Sequence, residues 1–177
     1  MNMLLVIKTL LIISVLCIST FIGYALANKY SSRVLELRDL IMALEIFETK
    51  IKYTYDSLTT SFMYIADNLK TKIYRIFFIT AQEVSENKND SAGECFKKVV
   101  DNEKIFLNLN KEDIEILKEL GISLGQTDIE GQLKNIRLVS NALRNQLEEA
   151  KEEKNKNFKM YRNMGVLSGL IIIIILL

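Results

Sequence analysis

The chain has no histidine, no proline and no tryptophan, and only two cysteines among its 177 residues. Without histidine it lacks the commonest general base and the commonest transition-metal ligand. Two cysteines, Cys17 and Cys95, are too few for a Cys-rich zinc site, and one lies in an apolar segment while the other lies in the polar body. Such cysteine usage suits a reducing compartment. The absence of proline, with only seven glycines, favours long uninterrupted helices over a turn-rich sandwich or barrel. Charge of one sign is also missing: 23 Lys and Arg against 22 Asp and Glu leave a formal charge of +1, so no broad basic field exists to hold a nucleic-acid backbone.

Two apolar ends are the strongest positive signals. Thr9 to Asn28 is a run of twenty residues without a charge, about 30 Å as a helix, which matches a bilayer core. A retained membrane helix is expected here. Ala25-Leu26-Ala27 resembles a processing site, but the helical pattern continues past it without a break, and Leu16 is too bulky for the position before a lipidated Cys17. At the other end, Gly165 to Leu177 is thirteen residues, about 20 Å of helix, shorter than a full span. Ser19, Gly23 and Ala27 lie four apart, as do Gly165 and Gly169, spacings that suit close helix packing. Lys29, Arg33 and Arg38 follow the first segment, and Lys151, Lys154, Lys156, Lys159 and Arg162 precede the second, which places the intervening domain in the cytoplasm.

Between the ends the apolar period is helical throughout. Leu37, Ile41, Leu44, Phe47 and Ile51 form one stripe; Leu58, Phe62, Ile65 and Leu69 a second; Ile73, Phe77, Thr80 or Ala81, and Val84 a third. Ser91 with Glu94, Asn110 with Asp113, and Thr127 with Glu130 have cap spacing before three further helices. Gly121 is expected to terminate the helix that begins near Asn110, and Gly125 to occupy a positive-φ or tightly packed position. The last helix carries Ile129, Leu133, Ile136, Val139 or Ser140, Leu143, Leu147 and Ala150, then fades into a charged stalk over residues 151–162. The expected architecture is all-α: a membrane helix over 1–28, a cytoplasmic helical bundle with its stalk over 29–162, and a short membrane segment over 163–177 continuing the last long helix.

Nothing here forms a convergent catalytic set. Glu148, Glu149, Glu152 and Glu153 are interleaved with lysines and read as a solvated, salt-bridged surface. The loop from Gly121 to Gly125 has neither dinucleotide nor phosphate-loop spacing, and Cys95 reads as a packing residue. No catalytic residue, cofactor or metal is expected.

Leu120-Gly-Ile-Ser-Leu-Gly-Gln-Thr-Asp128, with Gln132 and Ile136, resembles the internal signature of the stage III sporulation protein AB family, and Tyr161 to Leu170 with its aliphatic tail resembles that family's C-terminus. Gly121, Gly125, Thr127, Asp128 and Glu130 belong to this stretch. The resemblance implies a protein of endospore-forming bacteria, in the cell membrane on the mother-cell side of the engulfed forespore. It implies a helical domain similar to the cytoplasmic domains of type II secretion and type IV pilus platform proteins. The implied role is a non-enzymatic platform or adaptor coupling a cytoplasmic secretion-type ATPase to the membrane proteins of the sporulation channel, with self-association as a further partnership. A membrane scaffold without ATPase coupling is the alternative.

Overall fold

Side-chain caps fix several helix starts. The computed structural model describes residues 2–54, 56–86, 90–125 and 128–176, and six α-helices run through them: α1 (Asn2–Thr49), α2 (Leu58–Asn68), α3 (Tyr74–Glu86), α4 (Ala92–Glu103), α5 (Lys111–Ser123) and α6 (Ile129–Leu176). A π-helical turn, Lys50–Thr54, follows α1, and a 3₁₀ turn, Lys104–Phe106, follows α4. Ser57 caps α2 by accepting from Thr60 N–H at 3.2 Å, and Ser91 caps α4 by accepting from Glu94 N–H at 3.2 Å. Asn110 and Asp113 form a complete capping box at α5, each side chain accepting the other's backbone N–H. Asp128 starts α6, its carboxylate accepting from Gly131 N–H at 3.0 Å. Thr127, expected as that cap, lies outside the described residues.

The chain divides into two compact units, Arg33–Glu149 and the pair Met1–Ser32 with Ala150–Leu177. The stretch read from sequence as a stalk thus groups with the apolar ends.

In Arg33–Glu149, the stripe Val34, Leu37, Leu40, Ile41, Leu44 and Phe47 is buried. At the centre, Phe62 meets Phe47 edge-on at 5.1 Å and Phe77 at 5.3 Å, and Phe96 lies 6.0 Å from Phe62. Such pairs add about 0.5–1.5 kcal/mol each beyond their buried area. The connectors are tied by carboxylates: Asp39 accepts from the backbone N–H of Lys70 at 3.0 Å and of Thr71 at 2.7 Å, closing the α2–α3 link. Arg75 grips Glu103 through two bonds of 2.5 and 3.0 Å, joining α3 to α4. On the surface, Arg137 pairs with Glu48 and Arg144 with Glu45, joining α6 to α1.

Gly121 does not end α5, which continues to Ser123. A Cβ on Gly93 would overlap the Gly121 carbonyl oxygen, and one on Gly121 would lie 2.9 Å from the Gly93 oxygen. Gly121 therefore serves close approach of α4 and α5 rather than a turn. The turn falls to Gly125, at φ +74°. Gly125→Val should lower stability by about 1–3 kcal/mol, because a β-branched residue is strained in that conformation, while Ser123→Ala should do far less. Thermal unfolding of the full chain in detergent reads the difference; equal melting temperatures for the two variants would remove the backbone argument.

Candidate functional site

In the unit formed by Met1–Ser32 and Ala150–Leu177, small residues bring two helices into contact. A Cβ built on Gly23 would stand 2.7 Å from the Gly165 Cα, and one on Gly165 would stand 2.8 Å from the Gly23 Cα. Only glycine at both positions permits this approach. Ser19 donates to the Gly165 carbonyl at 2.5 Å, and its hydroxyl lies 2.8 Å from that of Ser168. A Cβ on Gly169 would sit 3.2 Å from the Ser19 Cβ, and Ala27 is fully buried. All five of the expected packing residues, Ser19, Gly23, Ala27, Gly165 and Gly169, thus fall within this helix pair. Tyr30 stacks on Tyr161 at 5.7 Å, and Tyr24 meets Phe158 edge-on at 6.5 Å.

The outward surface of this pair is apolar. Leu10, Leu11, Ile13, Ile18, Phe21, Leu167, Leu170, Ile171, Ile174 and Ile175 are exposed. A surface of that composition is unfavourable in water and suits hydrocarbon. Among the described residues, α1 and α6 are the two helices long and apolar enough to cross a membrane.

The second concentration of functional chemistry lies inside Arg33–Glu149. Arg33, 6% exposed, donates from Nε to Asp113 Oδ2 at 2.8 Å and from Nη2 to Asp113 Oδ1 at 3.0 Å; Nη2 also reaches Gln146 Oε1 at 2.8 Å. Asp113 is completely buried, and its Oδ2 also accepts the Asn110 N–H of the capping box. One carboxylate therefore serves both the α5 cap and the ion pair with α1. Next to it, Glu36 accepts from the Asn108 N–H at 2.7 Å and from its Nδ2 at 2.8 Å. Burial is the largest influence on Glu36 and holds its pKa above the ordinary carboxylate value, against the lowering effect of the Asn108 donors and Lys72.

Sequence position alone puts Arg33 in the positive flank of the first apolar segment. Its charge is instead neutralised within the helical unit, leaving Lys29 and the exposed Arg38 as the flanking charges after α1's apolar run. Of the signature residues, Gly121 packs against Gly93, Gly125 turns the chain, Asp128 caps α6, and Glu130 is exposed in the first turn of α6. Cys95 is buried, as a packing residue should be.

A helical unit with a buried polar tie, carried by a chain whose two longest helices pair through glycine, expose apolar surface and are long and apolar enough to cross a membrane, defines a class of all-helical proteins with two candidate spans. A model of the family described as Stage III sporulation protein AB matches residues 8–177. The Stage III sporulation protein AB of Bacillus subtilis (strain 168) is 30% identical over 159 residues, covering 90% of this chain and 92% of that protein. A solved structure of Stage III sporulation protein AB (SpoIIIAB) superposes with a TM-score of 0.66 at 26% identity, covering 71% of this chain and 98% of that one. The chain belongs to the stage III sporulation protein AB family.

Proposed function

We propose that this sporulation protein is a membrane platform, without catalysis of its own, that couples a cytoplasmic secretion-type ATPase to the membrane subunits of the channel between mother cell and forespore. The observation supporting this reading is that α1 and α6 each contribute both to the helical unit and to the glycine-packed apolar pair. A protein so built holds a folded surface at a membrane by two helices rather than one. In this reading the helical unit faces the mother-cell cytoplasm, consistent with Lys29 after the first apolar run and Lys156, Lys159 and Arg162 before the second.

The test is photo-crosslinking in sporulating cells from exposed positions of the helical unit, such as Ile105 at 75% exposure and Tyr53 at 68%, followed by detergent extraction and identification of the captured chains. Capture of the ATPase is the expected result. Capture of membrane subunits alone, with the ATPase present in the same cells, would convert the reading to a scaffold without coupling.

A further inference from the structure

The apolar helix pair carries cations that the rest of the fold does not use. In Arg33–Glu149 many positive side chains are paired, Arg33 with Asp113, Lys50 with Asp56, Arg75 with Glu103, Lys98 with Asp90, Lys118 with Asp101 and Arg137 with Glu48, while others such as Arg38, Lys52 and Lys134 are exposed outside any ion pair among the described residues. Lys29, Lys156, Lys159 and Arg162 are exposed and have no ion-pair partner among the described residues. They flank the apolar runs directly.

One of them, Arg162, lines a groove, and helical spacing puts Lys159 one turn away on the same side. Leu16, Thr20, Phe21, Tyr24, Arg162 and Val166 line an apolar cleft of roughly 580 Å³ between the two helices. At 100° per residue, Lys159, Arg162 and Val166 fall within about 60° of one another on α6. The antiparallel register set by the Gly23–Gly165 approach brings Lys29 level with Lys159. The cleft thus has an apolar wall deeper along the pair and unpaired positive charge at the end nearer the polar sequence.

We propose that this cleft is a binding site for an anionic phospholipid, whose phosphate is held by Arg162 and Lys159 and whose acyl chain lies against Phe21, Tyr24 and Val166. The guanidinium suits phosphate because its planar donors match two oxygens at once. A zwitterionic lipid offers the same chain without net negative charge, so the two cations discriminate through the headgroup. The proposal rests on reading these helices as membrane spans.

The absence of tryptophan supplies the test. Phe21→Trp places a single reporter in the cleft, and Val166→Trp places one on the opposite wall. The full chain is reconstituted in phosphatidylcholine vesicles containing an equal fraction of either brominated phosphatidylglycerol or brominated phosphatidylcholine, and quenching is measured. Preferential quenching by the anionic lipid, with a relative affinity at least fivefold higher, is the expected result, falling to near one in Arg162→Gln/Lys159→Gln and unchanged in the surface variant Lys118→Gln. Equal quenching by both lipids, or a preference that survives removal of both charges, overturns the proposal alone. Blue-shifted emission shielded from both lipids also overturns it, by showing a protein helix in the cleft. Water-exposed emission shielded from both lipids overturns it together with the membrane reading beneath it.

Discussion

Asp113→Ala is expected to lower stability by about 3–5 kcal/mol, the scale of breaking a buried ion pair by removing one partner. The full chain in detergent should then melt roughly 6–20 °C below the parent. The cost has two sources. Arg33 keeps a buried positive charge with the neutral Gln146 oxygen in place of a carboxylate, and α5 loses the carboxylate that accepts the Asn110 N–H. Arg33→Met/Asp113→Ala should melt above Asp113→Ala alone, because the stranded charge is gone although the cap is still missing. A single variant that melts within about two degrees of the parent would show that water reaches the pair and that it contributes little.

Gly165→Ile should separate the apolar helices without removing them from the membrane. The structure places the closest approach at Gly23 and Gly165, with Gly169 looser, so the isoleucine belongs at Gly165. With Cys17→Ser and Cys95→Ala as background, cysteines at positions 19 and 168, whose native hydroxyls are 2.8 Å apart, should join efficiently through a short bis-thiol reagent. Gly165→Ile should reduce that crosslink about tenfold, since a helix forced outward by a side chain loses the packing that glycine permits. Membrane fractionation should show both forms inserted. Crosslinking at the parental level would leave the glycine contact incidental and the C-terminal segment a simple tether.

The helical stripes were legible from sequence because burial and period coincide: Leu37, Ile41, Leu44 and Phe47 are buried, as are Ile136, Val139 and Leu143. The Ser91 and Asn110 caps were legible for a similar reason, since a cap satisfies its own helix within three residues. Gly121 misled because glycine has two uses, positive φ and close approach, and only the second helix at Gly93 decides between them. The polar tie escaped notice although its signal was present. Arg33 lies four residues before Leu37 on the apolar stripe, and Gln146 falls between Leu143 and Ala150 on another. A polar residue in step with an apolar stripe points to a buried partner, yet which partner is a matter of tertiary placement: Asp113 is 80 residues from Arg33. Arg33 was read instead by its nearness to the membrane segment, a local rule that a distant carboxylate overrides.

That distance also has a consequence during synthesis. Gln146 is made 113 residues after Arg33, an interval of roughly 6–23 s at ribosomal speeds of about 5–20 residues per second. For most of it, the buried stripe from Val34 to Phe47 is present without the helix that completes its core, and Arg33 is without Asp113 for the first 80 residues and without Gln146 until the end. The first apolar segment, made earlier still, is available to the bilayer during the same seconds. The N-terminal apolar helix is therefore complete well before the fold can close, and the nascent chain waits for its last helix.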